Sequence, residues 1–148
     1  MNLLSRRSML AIAAVVDVAL YARPMPVAAK SLAARHHLPP RHLETLLQGL
    51  VQANILKGVR GPRGGYRLGR PRRDITLNDI VRTAISDDTA SEEGPAGSMQ
   101  SLVIDPLWSE LDQGLGRRLG ELTLEDMIRR AEAAGLTRPT AEPISFSI

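Results

Sequence analysis

The sequence of 148 residues contains no cysteine. That absence excludes disulfides, thiolate zinc sites, cysteine nucleophiles and any iron–sulfur cluster held by the chain's own thiolates. Aromatic residues make up only 3% of the chain, with one Trp, one Phe and two Tyr. RNA-binding sheets and single-strand grooves depend on stacking platforms, so both are disfavoured. No apolar run approaches the roughly 20 residues of a membrane-spanning helix. The opening Ser5-Arg6-Arg7 ahead of an apolar stretch resembles a twin-arginine export signal. Asp17 interrupts that stretch, however, and no small-x-small cleavage site follows. The segment is therefore read as a first core helix, and the protein as cytoplasmic. Catalytic motifs are missing too: the glycine cluster lacks the Gly-Lys-Ser/Thr ending of a phosphate loop, and no nucleophile and base share a recognisable motif. No enzyme is expected.

What the chain does have is a division of charge. Residues 1–73 hold 13 basic side chains against two acids, Asp17 and Glu44, a net +11. Residues 74–148 hold six basic and fourteen acidic side chains, a net −8. A merely soluble surface would intersperse the signs, so the asymmetry points to a polyanion-binding N-terminal module joined to an acidic C-terminal part. Nucleic acid is the first hypothesis.

The hydrophobic pattern organises the rest. After the first helix, ended by Arg23-Pro24-Met25-Pro26, a short Ala-rich helix is expected over 27–35, followed by a turn at His36-His37. Pro39-Pro40 opens the next helix, where proline is tolerated because first-turn amides lack intrahelical partners. There Leu43, Leu46, Leu47, Leu50 and Val51 form one buried stripe, and Arg41, Glu44, Thr45 and Gln48 form the facing polar one. Two helices joined by a tight turn make a helix-turn-helix pattern. Residues 55–68 then read as a hairpin with a Gly/Pro-rich tip, in which Gly64-Gly65 supply positive φ angles. A hairpin in that position is a wing. Thr76 and Asp79 suit the start of a helix reaching about residue 86. From about 98 to 120, Val103, Leu107, Leu111, Leu115 and Leu119 recur every four residues; Pro106 either kinks that helix or begins it behind Asp105. Thr123 caps a last helix that Gly135 stops.

The segment Gly58-Val59-Arg60-Gly61-Pro62-Arg63-Gly64-Gly65-Tyr66-Arg67-Leu68 resembles the wing signature of the Rrf-two family of winged helix-turn-helix transcription regulators, of the IscR/NsrR type. Asp17-Val18-Ala19-Leu20, Leu43-Glu44, Ile75-Thr76-Leu77, Leu107-Trp108 and Leu122-Thr123-Leu124-Glu125-Asp126 add to the resemblance, which covers roughly residues 1–134. It implies a mainly α fold: a winged helix-turn-helix with a two-stranded wing and a C-terminal dimerisation helix. The divisions are a DNA-binding domain at 1–86, an acidic flexible loop at 87–98, dimerisation helices at 99–134 and a loose tail at 135–148. Many members bind an iron–sulfur cluster through three cysteines in the loop that is here 87–100. This chain has none, so it resembles a cluster-free member and no cofactor is expected.

Arg41, His42, Glu44, Thr45 and Gln48 are the candidates for reading bases in the major groove. Arg pairs with guanine, Gln with adenine, and Glu accepts from the cytosine amino group. The resemblance gives the Glu44 position a part in base choice and puts Arg60 at the minor groove, with Arg63 beside it on the wing. A narrow A·T-rich groove concentrates negative potential and attracts arginine. Arg6, Arg7, Lys30, Arg67 and Arg70 are assigned to phosphates, which position the protein without reading sequence. His36, His37 and His42 are the chain's histidines; adjacent residues on a short turn rarely chelate one ion, so no metal site is expected. The stripe Leu107, Leu111, Leu115 and Leu119 is left to bury itself outside the small DNA-binding core. By resemblance its partner is an antiparallel helix of a second subunit. The expected protein is thus a dimeric repressor on double-stranded DNA; an adaptor whose basic face meets an acidic protein partner is the alternative.

Overall fold

The computed structural model describes residues 5–22, 25–85 and 94–136. Among the described residues six α-helices and one hairpin appear in the order α1 (Arg6–Tyr21), α2 (Ala29–Arg35), α3 (Pro40–Gln52), β1 (Leu56–Val59), β2 (Gly65–Leu68), α4 (Leu77–Ile85), α5 (Asp105–Glu121) and α6 (Leu124–Ala133). The acidic loop expected at 87–98 lies largely outside the described residues, as does the tail beyond 136.

α1 is the centre of the core. Ser5 caps it by accepting from the Ser8 amide, and Ala11, Ala14, Val15, Val18 and Leu20 are buried along it. Its small residues let α4, α6 and β2 all pack against it. The stripe predicted on α3 is found through Leu43, Leu46, Leu47 and Leu50, but Val51 sits at the edge of the buried arc and is 36% exposed. Val27 does not begin the second helix. It forms a bridge with Tyr66 instead, its amide donating to the Tyr66 carbonyl and the Tyr66 amide donating back. That exchange ties the wing to the link between α1 and α2.

The starts of α4 and α6 are both set by reciprocal caps. The Thr76 amide donates to Asp79 while the Asp79 amide donates to the Thr76 hydroxyl, each at 3.1 Å. Thr123 and Asp126 repeat the arrangement at the start of α6. The two caps lie back to back in an antiparallel bridge, with Leu77 N–H donating to Leu122 O and Leu124 N–H to Ile75 O. Leu124, Ile128 and Ala131 are consequently buried in the main core. α6 thus packs against α1 in the main core of the same chain.

α5 also departs from expectation. Leu115 and Leu119 are partly buried against Val81 and Ile85 of α4, inside the same chain. Leu107 and Leu111 are 43% and 55% exposed. The four-residue stripe is divided because a 3.6-residue turn drifts, and its two ends face different directions. Asp112 pairs with Arg82 of α4 at 3.5 Å, and Gly116 is buried where a β-carbon would meet the end of the Arg82 side chain. Pro106 lies in the first turn of α5, behind an Asp105 that is itself helical and does not cap it. A π-helical turn, Gln100–Ile104, runs into α5 with Asp105 in helical conformation and its amide donating to the Gln100 carbonyl. The wider turn redistributes the hydrogen bonds just before the proline, which has no amide to give.

Thr123 and Asp126 give this arrangement a measurable weight. The Thr123 amide and hydroxyl hold the Asp126 carboxyl below the usual carboxylate range. Its contribution is therefore present above the ordinary carboxylate pKa and disappears as pH falls through the lowered value. Thr123→Ala is expected to cost about 1 kcal/mol of stability at neutral pH. Urea unfolding of the variant and parent, repeated at pH 7 and in acid for Asp126→Asn, checks both statements.

Candidate nucleic-acid interface

α2 and α3 are joined by residues 36–39, and the turn is made at His37, whose φ is +53°. A left-handed conformation is costly for a β-carbon-bearing residue, so the turn carries some backbone strain at this position. Pro39 occupies the cap position of α3 with extended backbone and no side-chain hydrogen bond. From that start the buried leucines turn the opposite face outward. Arg41, His42, Glu44, Thr45 and Gln48 are all exposed along it, so the structure brings the five predicted base-reading residues onto one accessible surface.

The wing is an antiparallel pair with Leu56 opposite Leu68, Lys57 opposite Arg67, Gly58 opposite Tyr66 and Val59 opposite Gly65. Arg60 and Arg63 are exposed at its tip. The tip closes with Gly64 N–H donating to Gly61 O at 2.9 Å. Positive φ occurs at Gly61 and Gly65, not at Gly64. Gly64 is needed for room instead: a β-carbon there would lie 2.2 Å from the Val59 carbonyl oxygen.

The residues assigned to phosphates separate into two groups. Arg6, Lys30 and Arg67 are exposed, and Arg67 shares the outer face of the wing with Lys57. Arg7 is half-buried and donates through Nε to the Ala84 carbonyl at the end of α4, 3.1 Å away. It still lines one cleft with Thr45 and Gln48 of α3. Arg70 is half-buried, lies 3.7 Å from Asp79 and donates to the Asp74 carbonyl. Its first tie is to the protein, and Arg72 is similarly held by Glu125 at 3.7 Å.

The arrangement that sequence reasoning missed lies behind the turn. Asp17, on α1, is only 4% exposed. It accepts two hydrogen bonds of 2.7 Å from Arg35, through Nε and Nη2, and a third contact of 2.9 Å comes from His36 Nε2. The Arg35 guanidinium also lies over the Tyr21 ring, 4.6 Å from its centroid. The hydrogen bonds to Asp17 push the Arg35 pKa up from its ordinary value. The last residues of α2, immediately ahead of the turn, are thus clasped to the core. The signal was available: Asp17 is one of only two acids in residues 1–73 and interrupts an apolar helix.

The sequence profile of the Rrf2 family, described as an iron-dependent transcriptional regulator, matches residues 4–130. The chain is 31% identical to the HTH-type transcriptional regulator IscR of Photobacterium profundum, over 85% of this chain and 75% of that one. It is 29% identical to protein rrf2 of Nitratidesulfovibrio vulgaris, over 86% and 88% of the two. Among solved structures, T. potens IscR superposes with a TM-score of 0.70 at 30% identity, covering 93% of this chain and 94% of that one. CymR, the global cysteine regulator of B. subtilis, gives 0.67 at 26% identity, over 86% and 96%.

The clasp yields a prediction. Asp17→Asn leaves Arg35 facing a neutral amide in a part-buried site, with an expected loss of about 2 kcal/mol, reduced from the fully buried case because Arg35 is more than one-third exposed. Thermal unfolding measures that loss. Below the melting transition the variant should lose specific DNA affinity more than non-specific affinity, since only the former needs α3 at a fixed angle. Equal losses would show that the clasp does not orient α3.

Proposed function

The chain belongs to the Rrf2 family of DNA-binding transcriptional regulators, and from that premise we propose that it acts as a homodimeric, cytoplasmic repressor of a pseudo-palindromic operator. The observation that carries this is the exposed row Arg41, His42, Glu44, Thr45 and Gln48 on a helix whose other face is buried. Those side chains offer donors and acceptors matched to base edges in the major groove. Arg60 and Arg63, at the end of a wing anchored through Val27, would enter the neighbouring minor groove. Arg6, Lys30 and Arg67 supply phosphate contacts that set the register. Repression follows from occupancy: a dimer seated over promoter DNA excludes the transcription machinery.

The homodimer is supported by Leu107 and Leu111, which α5 leaves exposed within one chain. Burying leucine side chains against a second copy contributes roughly 1.5–3 kcal/mol for each one fully buried. Two recognition helices then sit about one DNA turn, or a multiple of it, apart, which is why the operator should be a pseudo-palindrome.

The family description includes iron, and this chain does not fit a cluster held by thiolates because it has no cysteine. We propose that it works without one. The purified protein should be colourless, and stoichiometric iron and sulfide after anaerobic purification would reject the proposal.

Binding to duplex DNA should weaken steeply with salt. If about six phosphates are neutralised, the log–log slope should be near −5. Glu44→Ala should relax base preference more than it lowers affinity for random DNA, whereas Arg67→Ala should weaken all sequences alike. Equal losses on operator and random DNA for both variants would remove Glu44 from the reading surface. A flat salt response, with the basic face engaged by an acidic protein that competitor DNA cannot displace, would favour the adaptor.

A further inference from the structure

The second strand of the wing runs into a cleft of about 540 Å³ that α3 does not line. Arg67, Arg70, Arg72 and Arg73, all from one short stretch of sequence, border it. Its floor is apolar, formed by Ala19 and Ala22 at the end of α1 together with Leu68. Glu125 is the one acid among the described lining residues. We propose that this cleft binds a small organic phosphate: the arginines hold its dianionic head, and its carbon body lies on the alanine and leucine floor.

Four like charges so close in sequence repel one another, and the protein's own carboxylates relieve this only in part. Arg70 stands 3.7 Å from Asp79 and Arg72 3.7 Å from Glu125, both beyond hydrogen-bond range. Such pairs damp the long-range field but make no hydrogen bond to these guanidinium groups. Arg70 donates to the Asp74 carbonyl at the limiting distance of 3.5 Å, and its Nε is buried with no hydrogen-bond partner. A buried donor left unmade is costly, and a small swing of the side chain toward an anion recovers that cost. Phosphate suits the fork of guanidinium donors, because two of its oxygens accept parallel bonds.

Size and floor select the class of ligand. One phosphate fills only part of the 540 Å³, and apolar side chains beneath the arginines favour an attached carbon skeleton. A duplex fits less well. Its backbone is a ridge that meets protruding side chains, whereas Arg70 and Arg72 are half-buried and line a concavity.

The cleft also lies between the wing and the cap junction. Its arginines end β2 and follow it, while the acids facing Arg70 and Arg72 stand in the first turns of α4 and α6. A bound organic phosphate places negative charge beside Arg67 and so opposes DNA binding. That consequence, unlike the site itself, rests on the phosphate contact proposed for Arg67. By linkage, DNA and the ligand weaken each other's binding by the same factor.

Calorimetric titration of the full-length protein with phenyl phosphate, at ionic strength held constant with sodium chloride, tests the site. Saturable binding is expected, with weaker binding of inorganic phosphate and none of phenol. Arg70→Gln combined with Arg72→Gln should weaken phenyl phosphate about tenfold. Arg117→Gln combined with Arg118→Gln removes the same charge from α5 and should change nothing. Glu125→Gln should tighten binding by removing the competing acid, a gain that loss of folding cannot imitate. Equal affinity in parent and Arg70/Arg72 variant, or no gain in Glu125→Gln, overturns the site. Absence of phenyl phosphate binding, with DNA affinity falling in the Arg70/Arg72 variant, makes the cleft a duplex contact and also overturns it. Saturating phenyl phosphate should lower the DNA affinity of the parent about fivefold and leave that of the Arg70/Arg72 variant unchanged. An unchanged parent affinity overturns the coupling alone.

Discussion

A single carboxylate sets the geometry of the reading head. Asp17 is buried in the helix around which α4, α6 and the wing are packed. An isolated ion there would be expensive, so the fold must deliver partners to it. Those partners are Arg35 and His36, the last turn of α2, and the chain reverses at the next residue. The electrostatic requirement of one buried group therefore fixes where α2 ends. His37 is then left to adopt a left-handed conformation, and Pro39-Pro40 starts α3 without a side-chain cap. A hydrophobic stripe would allow α2 to slide or rotate by fractions of a turn. A bidentate Arg–carboxylate pair permits far less, because its two parallel bonds have a direction.

Local chemistry was the legible part of the sequence. The leucine stripe of α3, the proline pair, the wing glycines and the caps at Thr76 and Thr123 each act over three or four residues, so they can be read in one window. What escaped depends on distance along the chain. Asp17 and Arg35 are 18 residues apart, Val27 meets Tyr66 through a bridge no periodicity announces, and Arg7 reaches the carbonyl of Ala84. The division of the α5 stripe was hidden for a different reason. Periodicity says which residues share a face but not what covers it, and here α4 covers Leu115 and Leu119 while Leu107 and Leu111 stay exposed. That Arg41, His42, Glu44, Thr45 and Gln48 share one exposed face was legible because that face is simply the complement of a buried one.

The division of charge between the two halves does more than attract a polyanion. Acids of the second half reach back to particular cations of the first: Asp79 to Arg70, and Glu125 to Arg72. The cations nearest the junction are thereby partly neutralised. Those on α3, at the wing tip and on the outer wing face keep an exposed position, namely Arg41, Arg60, Arg63 and Lys57. Surface pairs at such distances contribute little to stability. Their effect is on the shape of the field, since a cation compensated at 3.7 Å contributes little attraction at a Debye length of about 8 Å. The +11 half thus presents its uncompensated charge on α3 and the wing, while cations at its junction with the acidic half are paired. Charge sorting of this kind cannot be deduced from net charge alone, because it depends on the folding back of α4 and α6 onto α1.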